Sequence, residues 1–241
     1  MEVRRIRDLS LIPLNEKQTM VIACDSCGSI GMKPYDAFKV LPVHVGKTTV
    51  RVALLEVMCS GAAVVTVTNA VCNEMEPTGS EIIRGIKEEL KLAAINDVVL
   101  TGSTEENFKT FSTGIGITVI GIASNNKLKV NQVKKTALVV SIGLPKVGDE
   151  INLVKDSELV DYFSIKKLLA EDDVYEIVPV GSKGIAYEVE QLAYNNKLIP
   201  SFESMPKVDL NKSGGPATCV IAAININSFE KIRFSTIILA N

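Results

Sequence analysis

Tryptophan is absent from this 241-residue chain, and histidine occurs once, at position 44. A Ser-His-Asp hydrolase would have to be built on His44, which lies in an alternating, strand-like stretch and reads as a core or edge residue instead. Aromatic residues make up only 5% of a chain that is 46% hydrophobic. The core must therefore be built from Val, Ile, Leu and Ala, as in sheets covered by helices. The five cysteines are an odd number, scattered from Cys24 to Cys219 with no disulfide-framework spacing. They read as reduced thiols of a cytoplasmic protein. Neither sign of charge dominates: 26 basic residues face 28 acidic ones, for a net charge of −2. No strong field then draws a nucleic acid or a membrane surface. The short cluster Arg4, Arg5 and Arg7, next to a mobile terminus, reads as a solvated end. No long apolar region follows it, so it lacks the pattern of a signal peptide. One largely apolar stretch, Val52 to Val71, is long enough to cross a bilayer, but it carries Glu56, Ser60, Gly61 and Asn69. It reads as a buried helix, a glycine stop and a buried strand.

What is present is a regular alternation of elements. Met20–Cys24 is an apolar strand that delivers Asp25 to a loop rich in Gly and Ser, and Phe38–Val45 alternates as a second strand. A helix capped by Thr48 or Thr49 runs to about Ser60, with Gly61 as its stop. Ala63–Thr68 is the next strand. Ser80 caps a helix with the stripe Ile82, Ile83, Ile86, Leu90 and Ala94. Strands at Asp97–Thr101, Gly116–Ala123 and Leu138–Ile142 complete this part. Gly143–Gly148 has the look of a domain joint, giving an N-terminal domain of 1–144 and a C-terminal domain of 145–241. The second part reads as helix Ser157–Ala170, strand Val174–Val180, helix Lys183–Asn195, and strands Cys219–Ile224 and Phe234–Leu239. The fold class is thus α/β in the mixed α+β sense, in two domains, with no repeat and no low-complexity tract.

Several polar loops follow these strands. In Asp25-Ser-Cys-Gly28-Ser-Ile-Gly31-Met-Lys33, a carboxylate at a strand end is followed by glycines and a lysine. Such a run suits a metal–phosphate site, in which the acid holds Mg²⁺, backbone N–H groups approach phosphate oxygens and the lysine offsets charge. It equally suits an ordinary glycine-rich turn. Gly102-Ser-Thr-Glu105-Glu106-Asn107 offers oxygen ligands for a hard cation, or a polar hairpin loop. Glu74 and Glu76 stand two apart before a helix start; the helix N-terminus behind them either binds an anion or is simply a capped start favoured by the acids, the better reading on these grounds alone. Glu56 lies within the apolar face of the first helix, and a buried Glu is rare unless it is paired or ligates a metal. Gly181-Ser182-Lys183-Gly184 and Ser213-Gly214-Gly215-Pro216 either line a ligand pocket or form turns. Three other motifs fail. Gly46-Lys47-Thr48 ends like a P-loop, but position 41 is Leu where that motif needs Gly. Gly114-Ile-Gly116 lacks the full dinucleotide spacing. Cys24-Asp-Ser-Cys27 has no second pair for zinc, and a redox role would need a helix start at Cys24.

The order of these loops resembles the aminoimidazole ribonucleotide synthetase-like superfamily. Its N-terminal Thr-Asp-Gly-Val-Gly-Thr-Lys is matched by Cys24-Asp25-Ser-Cys27-Gly28-Ser-Ile-Gly31-Met-Lys33, with the Lys later, and its helix end by Leu55-Glu56-Val-Met-Cys-Ser-Gly-Ala. Its Gly-Gly-Glu-Thr or Gly-Gly-Asp-Thr loop corresponds to Gly102-Ser-Thr-Glu105, where the acid comes one place late. Within the superfamily the chain is similar to the α-ribazole kinases, through Gly102–Phe108, Pro179–Ile185 and Ser213–Cys219. Thiamine monophosphate kinases have a paired Asp-Asp that is missing here. The hydrogenase maturation member ends in a reactive Cys, whereas this chain ends Ala-Asn. Selenophosphate synthetases need a reactive Cys or selenocysteine in an N-terminal loop, for which only Cys24 and Cys27 are available.

The resemblance implies two α/β domains, a homodimer paired through its N-terminal sheets, and ATP with Mg²⁺ as co-substrate and cofactor. The γ-phosphoryl group would pass to the ribosyl 5′-hydroxyl of α-ribazole. Asp25 and Glu105 would hold Mg²⁺ with Glu56 as a further ligand, and Asp25 and Lys33 would serve the transfer itself. Gly28, Lys33, Gly102, Ser103, Thr104 and Asn107 would meet ATP; Ser182, Lys183 and Gly214 would face the acceptor. An ATP-dependent ligase or phosphate activator of the same superfamily, or a non-catalytic nucleotide-binding dimer, are the alternatives.

Overall fold

The computed structural model describes residues 2–134, 136–202 and 208–230. The fold is mixed α/β, in two units: Met1–Met58 with Ala62–Asn125, and Cys59–Gly61 with Asn126–Asn241. The division falls before the 144/145 joint read from the sequence. Strand Leu138–Ile142 explains why: it pairs residue for residue with Val220–Ile224 and so joins the second sheet.

The first unit is built on a six-stranded sheet in the order β1-β2-β3-β8-β6-β7. Its strands are β1 (Arg4–Ile6), β2 (Leu9–Pro13), β3 (Gln18–Gly28), β6 (Ala63–Val71), β7 (Val99–Ser103) and β8 (Gly114–Ser124). Two short strands, β4 (Ile30–Gly31) and β5 (Phe38–Lys39), form a separate parallel ribbon. Side chains alternate across a strand, so a sheet covered on one side buries every second residue. Thr19, Val21 and Ala23 of β3, and Ile115, Ile117, Val119 and Ala123 of β8, are buried. Met20, Ile22, Thr118, Ile120 and Ile122 between them are only partly covered. Arg4 and Arg5 are exposed, as a solvated end would be, and β1 is paired with β2, whose Leu9 and Leu11 are anchored in the core.

Helix α1 (Pro42–Cys59) lies on the buried face, where a Cβ placed on Gly121 would come 2.5 Å from Val57 Cγ1. It starts well before the expected cap at Thr48 or Thr49, and His44 is helical rather than extended. Proline is tolerated in a first turn because its missing N–H is not needed there. Thr48 and Thr49 donate their hydroxyls back to the His44 and Val45 carbonyls, at 2.9 and 2.7 Å, instead of capping. Helix α2 (Ser80–Leu92) buries Ile82, Ile86 and Leu90, with Ala93 rather than Ala94 turned inward. The two helices touch through glycines. A Cβ on Gly46 would sit 2.1 Å from the Ile82 carbonyl oxygen, and one on Gly85 would sit 1.9 Å from that of Val43. Gly46, the would-be P-loop glycine, is thus a close-packing residue.

The second unit holds an antiparallel sheet in the order β10-β11-β9, made of β9 (Leu138–Ile142), β10 (Val174–Pro179) and β11 (Val220–Ile224). Helix α3 (Tyr162–Ala170) begins later than Ser157, where the Asp161 carboxylate accepts from the Ser164 N–H at 2.6 Å. Helix α4 (Gly184–Asn195) packs Ile185, Val189 and Leu192 into a cluster with Val178, Val180 and Ile221. The strand expected at 234–239 lies outside the described residues. Among the described residues, no helix is long and apolar enough to cross a membrane.

Candidate active site

Three strands of the first sheet end together. β3 and β6 are both antiparallel to β8, and β7 is parallel to β6. Their carboxyl ends therefore share one end of the sheet, the end at which ligands collect in open α/β sheets. The loops 29–40, 72–79 and 104–113 all leave from it.

Two buried side chains tie these loops into a rigid frame. Asn73 is fully buried; its amide donates to Thr110 Oγ1 and the Ser112 carbonyl, both at 2.8 Å, and its Oδ1 accepts from the Gly114 N–H at 3.0 Å. Asp36 accepts from the Lys33 N–H at 2.8 Å and from the Thr113 N–H and hydroxyl, both at 2.7 Å. Burial works against its charge, but these bonds outweigh it and hold the carboxyl below its ordinary pKa. Gly31 allows the closure: its φ is +153°, and a Cβ there would come 2.2 Å from Thr113 Oγ1. Neither Asp36 nor Asn73 was singled out in the sequence. Each is a polar residue in a polar loop, and only its distant partners distinguish it.

Within this frame Lys33 meets Glu74, Nζ to Oε2 at 2.5 Å. Glu74 also accepts from the Thr78 hydroxyl at 2.6 Å. Burial alone would raise the Glu74 pKa, yet the bonds from Lys33 and Thr78 bring it down to about 2. Glu74 is thus the acid that belongs with Lys33; the sequence pointed to its helix-start position but not to its partner. Glu105 accepts from the N–H groups of Asn107 and Phe108, at 2.7 and 3.2 Å, which lowers its pKa and makes it a cap for its own loop. Glu106 accepts from the Met75 N–H at 2.8 Å and the Thr104 hydroxyl at 2.9 Å.

Asp25 is not on a loop. β3 runs on to Gly28, and Asp25 pairs with Ile117 in mid-strand. Burial pushes its carboxyl up to about 6, against a bond from the Ser26 backbone and with a small further push from Asp8. Cys24 and Cys27, three apart in one strand, point to opposite faces and cannot pair. Burial raises the Cys27 thiol pKa, against a hydrogen bond with Thr49 of α1. Glu56 is buried within α1. Asp25, Glu56 and Glu105 therefore lie on a strand, a helix and a loop. Among the described residues, no three His, Cys, Asp or Glu side chains gather as a metal cluster.

Gly28, Gly102 and Ser103 are exposed at the strand ends, and Thr104 and Asn107 follow in the loop. In the second unit, Ser182 and Lys183 are exposed before α4, with Lys183 Nζ 4.3 Å from the Tyr187 ring centroid. Gly214 is buried instead, its N–H donating to the Gly181 carbonyl at 2.9 Å. It holds the two glycine loops together.

Residues 7–123 match the family model described as AIR synthase related protein, N-terminal domain. That segment carries β2 through β7, β8 up to its last residue, and the loops 29–40, 72–79 and 104–113. Solved structures share the fold of nearly the whole chain. T. maritima PurL complexed with ATP is 13% identical with a TM-score of 0.66, covering 92% of this chain and 38% of its own. Thiamine-monophosphate kinase from Stenotrophomonas maltophilia K279a is 15% identical with a TM-score of 0.60, covering 97% of this chain and 84% of its own. AaThiL complexed with AMPPCP and TMP is 14% identical with a TM-score of 0.60, covering 91% of this chain and 79% of its own. No curated protein matches the sequence. This chain thus spans well under half the length of the PurL chains and most of the length of the kinases.

Proposed function

We propose that this chain is an ATP-dependent phosphotransferase acting on a nucleoside, with α-ribazole as the first acceptor to test. The observation that carries the reading is the Lys33–Glu74 pair, held by fastened loops at the shared carboxyl ends of β3, β6 and β7. Phosphoryl transfer asks little of protein side chains beyond positioning and cationic stabilisation. A lone histidine is no obstacle to it. In this reading Lys33 leaves Glu74 to offset charge on the transferring phosphoryl group. Gly28, Gly102, Ser103, Thr104 and Asn107 present backbone to the nucleotide, and Ser182 and Lys183 serve the acceptor.

In this proposal Mg²⁺ is held by Asp25 together with the substrate phosphates, since no three acidic, Cys or His side chains gather among the described residues. Mg²⁺ is commonly held by one or two carboxylates together with substrate phosphates, so a closed protein cage is not required. Asp25 is a carboxylate whose ionised form is disfavoured by burial, and a dication beside it restores that form. Once bound, the ion would neutralise phosphate charge. Glu56 and Glu105 stand as further oxygen donors in the proposal. A homodimer would use the partly covered face of the first sheet, where Met20, Ile22, Thr118, Ile120 and Ile122 lie.

The test is ADP release by the full chain with Mg·ATP and α-ribazole, with product followed by mass. Phosphorylated α-ribazole appearing only when both are present supports the kinase. Phosphate release without a phosphorylated nucleoside favours a synthase-type activation, the reading that the PurL likeness keeps open. ATP binding without turnover on any acceptor would leave a nucleotide-binding dimer.

A further inference from the structure

Two aromatic rings stand in the open beside Lys33. Tyr35 is 74% exposed and Phe111 46%, with ring centroids 5.7 Å apart and planes 27° from parallel. Aromatic rings owe most of their stabilising effect to burial, so a stacked pair left in water is a surface awaiting contact. The pair is not loosely placed. The Tyr35 N–H donates to the Phe111 carbonyl at 2.9 Å. Asp36, the next residue, is buried and fastened to Thr113, two places beyond Phe111. Both rings thus ride on the frame that carries the site, and a ligand need not order them on binding.

The rim is cationic. Lys33 is two residues from Tyr35, and Lys109 Nζ lies 5.5 Å from the Phe111 ring centroid. Lys39 Nζ donates to the Lys33 and Pro34 carbonyls, fixing a third positive charge on the same loop. Two acids of the frame are engaged: Glu74 with Lys33, and Asp36 with backbone and Thr113. A flat aromatic face edged by positive charge matches a planar heterocyclic base joined to a sugar that carries, or is about to carry, phosphate. Stacking binds the base without reading its edges, and the lysines meet the phosphate. Two rings are too little for a stable protein–protein contact, which needs an area many times larger.

We propose that Tyr35 and Phe111 form the stacking platform for the base of a nucleoside or nucleotide whose phosphate-bearing end is handled at Lys33. The inference rests on the phosphotransferase reading and deepens it by naming the subsite that takes the base. Such a base has two sources, ATP and the acceptor nucleoside.

The experiment is equilibrium titration of the full chain with ATP, with α-ribazole and with inorganic tripolyphosphate, which has no base. Wild type is compared with Tyr35→Leu, Phe111→Leu and Tyr35→Phe. Tyr35→Leu and Phe111→Leu keep apolar bulk and remove the aromatic face, and an unchanged thermal midpoint checks their fold. The expected result is a roughly ten- to hundredfold weaker affinity for one base-bearing ligand. Tripolyphosphate binding should be unchanged, and Tyr35→Phe should restore the lost affinity. Loss with ATP assigns the platform to the nucleotide base, and loss with α-ribazole assigns it to the acceptor. Wild-type affinity of both Leu variants for both ligands overturns the platform and leaves the kinase reading standing. A wild type that binds neither ligand overturns both.

Discussion

Asp25 and Lys33 are eight residues apart in sequence, and their environments set opposite expectations. Asp25 is a carboxylate held against burial in mid-strand, with its pKa pushed up to about 6. Asp25→Asn keeps the shape and removes the disfavoured charge. Turnover should fall by roughly two or more orders of magnitude, while the melting temperature at pH 7 stays level or rises. Near-normal turnover would take Asp25 out of the mechanism. Lys33→Met should cost turnover about a hundredfold or more without abolishing ATP binding, and steady-state kinetics with varied ATP will separate the two effects. Glu74 carries the acid dependence. Its pKa is moved from 4.5 to about 2, with bonds from Lys33 and Thr78 overcoming burial. Its contribution to stability is complete above pH 4.5 and is lost as pH falls toward 2. Urea midpoints measured across that window should decline more steeply in wild type than in Glu74→Gln; parallel curves would mean the ion pair contributes nothing. At this scale the sequence pointed to Lys33 through its glycine-rich run. Asp36 and Asn73 were not legible as site residues and the partner of Glu74 was not, because each acquires its role from a residue 37 to 77 positions away.

At the scale of elements, local pattern located the elements and tertiary pairing moved their ends. β6 starts at Ala63 and β9 spans Leu138–Ile142, where the apolar pattern of the sequence predicts them. Gly61 does stop α1, at φ +84°. β3, however, runs four residues past Cys24, because β8 supplies partners out to Gly114. That extension turned Asp25 from a loop acid into a strand acid. The start of α1 was hidden because residues 38–45 alternate like a strand, while the helix is fixed by its packing on α2. Gly46 tests that packing. Gly46→Ala places a Cβ 2.1 Å from the Ile82 carbonyl oxygen and should cost about 1–3 kcal/mol or more. Gly116→Ala, where an added Cβ meets nothing within 4 Å, should stay within about 0.5 kcal/mol. Denaturant midpoints compare the two; equal losses would mean that α1 and α2 do not cross at Gly46.

For the whole molecule, the partly covered face of the six-stranded sheet makes the remaining prediction. If two copies pair through it, Ile120→Glu should shift the protein from dimer to monomer in sedimentation, leaving the far-UV circular dichroism intact. A wild type that is already monomeric would end the dimer proposal. Composition, the 2- and 3.6-residue periodicities and the glycine stops determined by themselves an α/β chain of two parts with an aliphatic core. They did so because burial of apolar side chains repeats with the geometry of each element. The order of the polar loops carried the resemblance that the match over residues 7–123 supports. Only the tertiary structure decided that β3, β6 and β7 end together, that Lys33 meets Glu74 and Asp36 meets Thr113, and that Tyr35 stacks on Phe111. It also decided that β9 joins the second sheet and that Gly214 is spent on packing. These are pairings between residues far apart in the chain, set by strand direction and register, which no local window of sequence contains.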